Sequence, residues 1–114
     1  MPTAAEKAVF DREGLLERLG GDEELLTELI GLFVEESQEL VAKVRSAIVE
    51  GDTHRIERAA HSLKGSLLNI SAPSAADKAY QLEQVGRGGE IELCPALLVE
   101  LEAELQRLEE EFRK

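Results

Sequence analysis

Apolar side chains recur at helical spacing along almost the whole chain, and no segment alternates with the two-residue period of a β-strand. Helical patterns extend over about 11–19, 23–50, 53–70 and 74–85, and from about 95 to the C-terminus. Because the connections are short, consecutive helices are expected to pack antiparallel. The sequence therefore predicts an all-α fold: an antiparallel up-down four-helix bundle with a short N-terminal helix across one end. The predicted core positions of the longest helix are Leu25, Leu26, Leu29, Leu32, Phe33, Leu40, Val41, Val44 and Ile48.

Cap and turn residues mark the ends of these helices. Three helix starts follow a side chain able to accept a hydrogen bond from a backbone N–H: Asp11, Asp22, and Asp52 or Thr53. Pro73 suits the first turn of the fourth helix, and the glycine-rich run 86–89 is predicted to be a loop. Gly31 lies inside the longest helix, where glycine costs about 1 kcal/mol relative to alanine. Close packing of a neighbouring helix is the expected reason for that glycine.

Composition restricts the class of protein. The 114 residues fit one domain, in which 1–10 is expected to be a flexible or irregular N-terminus and 11–114 the helical bundle. A formal net charge of −11 disfavours nucleic acid and anionic membrane surfaces as partners. No apolar run approaches the ~20 residues of a membrane span, and no signal peptide is visible. The single cysteine, Cys94, cannot form an internal disulfide, so the chain is expected to be cytoplasmic.

The segment Ala59–Gly65, with the sequence AAHSLKG, places a histidine on the open side of the third helix. At 100° per residue, the side opposite His61 is mostly apolar. It carries Ile56, Ala59, Ala60, Leu63, Ser66, Leu67 and Ile70. The side of His61 itself carries His54, Glu57, Arg58, Lys64, Gly65 and Leu68. The imidazole is therefore predicted to face solvent and not the core.

An exposed histidine with these neighbours is suited to carry a phosphoryl group. Neutral imidazole is a nucleophile near pH 7, and Lys64 and Arg58 lie one turn away on either side, where they can accompany a negative charge. Gly65, at i+4, leaves room for another protein to reach the ring. Leu68 is an apolar residue on the same face and suits a docking surface.

The chain offers no glycine-rich phosphate loop and no nucleotide-binding βαβ unit. It is therefore expected neither to bind ATP nor to phosphorylate itself, and it is not predicted to be an enzyme with its own turnover. The phosphoryl group must come from a partner, which also supplies Mg²⁺. No cofactor is expected on the chain itself.

No metal site is predicted either. His54 precedes His61 by two helical turns, about 10.8 Å, which is too far for one ion to be held by both rings. Cys94 is predicted to lie near a helix start, where a thiol can have a lowered pKa. An incidental thiol is the favoured interpretation of Cys94.

The segment Ala60–Ser66 resembles the signature of histidine-containing phosphotransfer (HPt) domains, the intermediates of bacterial multistep phosphorelays. The resemblance extends over nearly the whole chain. Further matching features are the Leu19–Leu26 segment, Phe33, the Gly51-Asp52 turn, and Ala79, Leu82, Glu83 and Gly86. The chain departs from the family pattern at Leu67, which replaces a commonly small residue, and at Ser71, which replaces a glycine.

The resemblance implies a role for each matching residue. His61 would be the phosphoacceptor, modified on Nε2, Lys64 its charge partner and Gly65 the residue that gives clearance. Glu83 occupies a place on the neighbouring helix where the family often has a polar side chain near the imidazole. The residues predicted to contribute to partner binding are His54, Arg58, Leu68 and Glu83.

The predicted function is a phosphorelay intermediate that takes a phosphoryl group from a receiver-domain phospho-aspartate and passes it to another receiver aspartate. The partners would be response-regulator receiver domains and a hybrid sensor histidine kinase, and the chain itself is expected to be a monomer. One alternative is the phosphoacceptor domain of a chemotaxis-type histidine kinase. Another is a helical adaptor that binds through the Leu68 face without phosphorylation, and a metal-assisted hydrolase is disfavoured for want of ligands.

Overall fold

The computed structural model describes residues 7–114. Its five helices are α1 (Arg12–Arg18), α2 (Glu23–Glu50), α3 (Thr53–Asn69), α4 (Pro73–Arg87) and α5 (Cys94–Phe112), with a 3₁₀ turn at Ile91–Leu93 before α5. No strand occurs within residues 7–114, so the prediction of an all-α fold is confirmed. No helix in that range is long and apolar enough to cross a membrane.

Aspartate side chains cap the first three helices. Asp11, Asp22 and Asp52 accept hydrogen bonds from backbone N–H groups in the first turns of α1, α2 and α3, at 3.0, 3.0 and 3.1 Å. These contacts satisfy donors that have no partner inside the helix. The predicted caps are therefore confirmed, and Asp52, not Thr53, is the cap of α3.

The helices enclose one core. α3 packs against both α2 and α4, and α5 packs against both α4 and α2. The largest fully buried side chains are Leu15, Leu26, Ile56, Leu63, Leu67, Leu82, Leu101, Leu108, Val44 and Cys94. Burying such side chains is the main source of stability in a domain of this size.

Two of the predicted core positions of α2 are wrong. Leu25 and Leu32 are exposed, whereas Leu26 and Phe33, which follow them, are buried. The apolar stripe of α2 is wider than the face of α2 that the rest of the molecule covers. The excess leaves apolar surface on the first half of α2.

The two predictions about glycines 31 and 86 are also corrected. A Cβ on Gly31 would meet no heavy atom within 4 Å, so close packing does not explain this glycine. Gly86, predicted to begin a loop, instead belongs to α4, which continues to Arg87. A Cβ on Gly86 would lie 3.0 Å from the backbone N of Glu57 on α3. The close helix approach therefore occurs at Gly86.

The two ends of α1 anchor that helix to the turn between α3 and α4. Asp11 N donates to the Ser71 carbonyl oxygen at 2.9 Å, and Arg18 donates to Ser71 Oγ at 2.5 Å. Ser71 itself has a φ of 63°, a left-handed conformation that costs most residues about 1–2 kcal/mol. This backbone conformation explains why glycine suits the position in the family pattern.

Residues 7–10 are not helical, yet they are tied to the rest of the molecule. Ser74 N donates to the Ala8 carbonyl oxygen at 3.0 Å, and the ring of Phe10 packs edge-on against that of Phe112 at 5.0 Å between centroids. The other residues of the predicted N-terminal segment, 1–6, lie outside the described part of the chain.

Candidate functional site

His61 lies near the middle of α3 and its side chain is 66% exposed. The residues facing the core from this helix are Ile56, Ala59, Ala60, Leu63, Leu67 and Ile70. The orientation predicted from the helical wheel is therefore confirmed. At Gly65, one turn after His61, an added Cβ would meet nothing within 4 Å, so the surface beside the ring is open.

A buried carboxylate on α4 holds the imidazole. Glu83 Oε2 lies 2.8 Å from His61 Nδ1, and the Glu83 side chain is only 3% exposed. A carboxylate that is ionised can only accept hydrogen bonds, so Nδ1 carries the hydrogen and Nε2 the lone pair. Nε2 has no hydrogen-bond partner among the described residues.

The ionised state of Glu83 is maintained by its neighbours. Burial acts to raise the pKa of Glu83, but the hydrogen bonds from Lys64 and His61 and the positive charge of Lys64 outweigh burial, so the pKa is lowered. Lys64 Nζ donates to Glu83 Oε1 at 2.7 Å. The two carboxylate oxygens therefore have different tasks: Oε1 accepts from the lysine and Oε2 from the histidine.

Lys64 is held in place from a second direction. Its ammonium group lies 5.2 Å from the centre of the Tyr80 ring, within the range of a cation–π contact. The sequence placed Lys64 beside the charge that a phosphoryl group would bring. In the structure its first partner is the carboxylate of Glu83, beneath the imidazole.

Arg87 is a member of this cluster that the sequence analysis missed. Its guanidinium donates to Glu57 on α3 at 2.8 Å and to Glu83 Oε2 at 3.3 Å. The sequence assigned Arg87 to a loop, where no helix face can be defined. The available signal was the i,i+4 spacing of Glu83 and Arg87, which is favourable for an ion pair on a helix.

Gly86 sets the separation on which these contacts depend. It is buried, and the space that its side chain would occupy is filled by the backbone of Thr53 and Glu57 on α3. The resulting close approach of α3 and α4 brings Glu83 within hydrogen-bond distance of His61. The identity of one small residue on α4 therefore controls the environment of the imidazole.

The remaining predicted site residues surround the imidazole at the surface. His54 and Arg58 are exposed and line an open depression together with His61. Leu68 is 55% exposed and lines a second, mostly apolar depression beside Lys64 and Tyr80.

The described residues assemble neither a metal centre nor a reactive thiol. Within residues 7–114, no three His, Cys, Asp or Glu side chains converge in a way that would hold a metal ion. Cys94 is completely buried, and this burial raises the pKa of its thiol, helped by the nearby charges of Glu92 and Glu90. The possibility of a lowered thiol pKa at this helix start is therefore contradicted.

The lowered pKa of Glu83 predicts a pH dependence of stability. A carboxyl group whose pKa is below its ordinary value of 4.5 when folded stabilises the fold above that pH, and the contribution is lost as the pH falls through the folded pKa. Glu83→Gln should therefore lower the free energy of unfolding at pH 7 by about 1–3 kcal/mol, with a smaller difference from wild type at pH 3. Urea unfolding at the two pH values measures this.

The matched control is Glu102→Gln, which breaks an exposed pair with Arg45. Exposed pairs contribute about 0–1 kcal/mol, so its difference from wild type should be small at both pH values. A Glu83→Gln difference that stays constant, or grows, on acidification would contradict the stabilising role of the ionised carboxylate.

The helical fold of this chain is shared with a solved phosphotransfer protein. The chain aligns with the crystal structure of histidine-containing phosphotransfer protein B (HptB) from Pseudomonas aeruginosa PAO1. The TM-score is 0.85 at 28% sequence identity, over 92% of this chain and 91% of that one. No curated protein matches the sequence at a significant level.

The family is established by a match to the Hpt domain model over residues 28–111, so the chain belongs to the Hpt domain family. It is a histidine phosphotransfer intermediate of phosphorelays. Proteins of this family are phosphoryl carriers that interact with receiver domains and kinases. The resemblance noted from the sequence is thus confirmed.

Proposed function

We propose that His61 is the residue that carries the phosphoryl group, and that Nε2 is the atom that bonds to phosphorus. The observation that carries this proposal is the contact between His61 Nδ1 and the buried carboxylate of Glu83. This contact fixes the hydrogen on Nδ1, so the lone pair resides on Nε2 of an exposed ring. The proposed scaffold is the up-down four-helix bundle, with consecutive helices antiparallel.

In the proposed reaction, Nε2 attacks the phosphorus of a phospho-aspartate on a docked receiver domain. The N–P bond forms as the P–O bond breaks, and the aspartate carboxylate leaves with the bonding electron pair. Because Nδ1 keeps its hydrogen, positive charge develops on the ring. The carboxylate of Glu83 stabilises that charge, as the aspartate does for the histidine of a Ser-His-Asp triad. Passage to a second receiver is the same step in reverse.

In the proposed reaction, the partner supplies the metal-ion chemistry that this chain does not provide. A Mg²⁺ ion held by the receiver domain would neutralise charge on the phosphoryl oxygens. We assign no ATP site and no turnover of its own to this chain, and a cytoplasmic monomer is the form proposed to act. The receiver domains and a hybrid sensor histidine kinase are the proposed partners.

The residues around His61 have separate proposed tasks. Lys64 fixes the Glu83 carboxylate and adds positive charge near the phosphoryl group, and Gly65 leaves the approach open. The proposed docking residues are His54, Arg58 and Leu68, which are exposed on both sides of the ring. Glu83 is buried, so its proposed task is to orient the imidazole.

The test is a transfer assay with Mg²⁺ and a panel of phosphorylated receiver domains, followed by mapping of the label. Label that is acid-labile, stable in base and located on the peptide containing His61 is the expected result. Label on another residue would overturn the assignment of His61. Labelling only by ATP and a chemotaxis-type kinase would favour the kinase-domain alternative, and partner binding without any label would favour the adaptor.

Access to His61 gives a separate prediction at Gly65. Helical side chains lean toward the N-terminus and cover the preceding turn, so the side chain in Gly65→Leu would lie over the His61 ring. Because nothing occupies the space beside Gly65, the substitution should raise the free energy of unfolding by up to about 1 kcal/mol. Transfer from a receiver, measured by stopped-flow or quench-flow, should nevertheless slow by at least tenfold.

Gly65→Leu should raise the free energy of unfolding while it slows transfer. This combination distinguishes a role of Gly65 in access from a role in packing. Gly31→Leu is the matched control, because that glycine also has open space around it and lies on α2. It should change stability in the same direction without slowing transfer. If Gly65→Leu transfers at the wild-type rate, the role of Gly65 in access is wrong.

A further inference from the structure

We propose that Arg87 is a positioning residue for His61, acting through Glu83. This inference rests on the proposed function of His61 and adds a residue to it. Arg87 ends α4 and donates to two carboxylates, Glu57 on α3 and Glu83 on its own helix, at 2.8 and 3.3 Å. One guanidinium therefore joins the two helices directly beside the imidazole.

The contacts fix the Glu83 carboxylate from both of its oxygens. Lys64 donates to Oε1 at 2.7 Å, while Arg87 and His61 share Oε2, at 3.3 and 2.8 Å. A carboxylate with donors on both oxygens has little freedom to rotate about its last bond. Without Arg87, Oε2 would retain the histidine as its only partner within residues 7–114.

Arg87 also carries positive charge between the two helices. Lys64 and Arg87 are cationic and Glu57 and Glu83 anionic, so each carboxylate accepts from at least one cation. Loss of the arginine breaks the ion pair that joins α4 to Glu57 on α3. Glu83, whose side chain is 3% exposed, then lacks the second donor that holds Oε2 toward the ring.

The geometry separates this role from that of an ordinary surface ion pair. A fork-shaped guanidinium can hold two carboxylates in fixed directions, whereas an ammonium group acts as a point charge. Arg87 uses different nitrogens for the two acceptors, Nε for Glu57 and a terminal nitrogen for Glu83. The arrangement therefore depends on arginine and not only on positive charge.

The experiment compares wild type with Arg87→Met, Arg87→Lys and the matched control Arg45→Met. Arg45 has the same side-chain exposure as Arg87, 56%, and also bridges to a glutamate on another helix, at 2.7 Å. The first readout is the ¹⁵N spectrum of the His61 ring in the resting protein, which reports which ring nitrogen carries the hydrogen. The second is the rate of phosphoryl transfer from a phosphorylated receiver domain.

In Arg87→Met, the Nδ1–H form of the His61 ring should lose population to the Nε2–H form. The rate of phosphoryl transfer should fall about fivefold, which is the size of effect expected of an ion pair near the surface. Arg87→Lys should fall between this variant and wild type, and Arg45→Met should match wild type in both readouts. A wild-type spectrum in Arg87→Met, or an equal change in Arg45→Met, would overturn the positioning role.

The two readouts separate failure of this inference from failure of the proposed function. If wild type accepts no phosphoryl group from any donor, the phosphoacceptor proposal fails, while the ring spectrum still decides whether Arg87 orients His61. If wild type is labelled on His61 and Arg87→Met transfers at an unchanged rate, only the inference about Arg87 fails.

Discussion

His61→Gln should abolish phosphorylation of this protein by receiver domains, leaving less than about one-hundredth of the wild-type label. Glutamine fills a similar volume and offers an amide in place of the imidazole, but it has no nitrogen lone pair that can attack phosphorus. The side chain is 66% exposed and, within residues 7–114, makes one hydrogen bond, to Glu83. The fold should therefore persist, with helix content by circular dichroism unchanged and the free energy of unfolding lowered by no more than about 1–2 kcal/mol.

The matched control is His54→Gln, an exposed histidine two turns earlier on α3. It should retain full labelling, although its rate can reveal a contribution to docking. Substantial residual label on folded His61→Gln would show that another side chain accepts the phosphoryl group. That result would remove the basis for the roles given to Glu83 and Lys64.

Gly86→Val should strongly destabilise the fold, lowering the free energy of unfolding by about 2–3 kcal/mol because it overpacks a closed interface. Even a single Cβ would lie 3.0 Å from the Glu57 nitrogen and 3.2 Å from the Thr53 carbonyl oxygen. Backbone atoms cannot swing aside as a flexible side chain can, so α4 must shift away from α3. Urea unfolding measures the loss, and the melting temperature should fall by about 4–8 °C per kcal/mol.

The same substitution at Gly31 provides the control. Nothing lies within 4 Å of a Cβ on Gly31, so Gly31→Val should change stability by no more than about 0.5 kcal/mol. Because a shift of α4 moves Glu83, Gly86→Val should also weaken the contact with His61 and slow transfer. Equal stabilities of the two variants would refute the close approach of α3 and α4 at this point.

Much of the fold was predictable because its signals are local. Helical spacing and the aspartate caps are properties of neighbouring residues, and α2 begins and ends at the predicted positions, Glu23 and Glu50. The errors arose where a distant element decides the outcome. Whether Leu32 is buried depends on which face of α2 the other helices cover, and the need for glycine at position 86 depends on the backbone of α3.

For the site, too, the features set by one helix were predicted and the contacts between two helices were not. The exposure of His61 and the open space at Gly65 follow from their places on one helix, and both were predicted from the sequence. The arrangement of Lys64 and Arg87 around the buried carboxylate of Glu83 joins two helices, and no spacing within either one specifies it. Burial of Glu83 was the least predictable feature, because an isolated glutamate on a helix is usually solvated.

The burial of Glu83 has a consequence for the energy stored in the loaded carrier. In the proposed mechanism the carboxylate, which belongs to α4, stays beside the ring whichever partner is docked, so it would lower the free energy of the cationic phosphohistidine itself as well as that of the transition state. Acceptance becomes easier and donation correspondingly harder. The phosphoryl-transfer potential of the proposed carrier would thus depend in part on the spacing of α3 and α4. Substitutions where these two helices meet should shift how the phosphoryl group is shared between successive proteins of the relay.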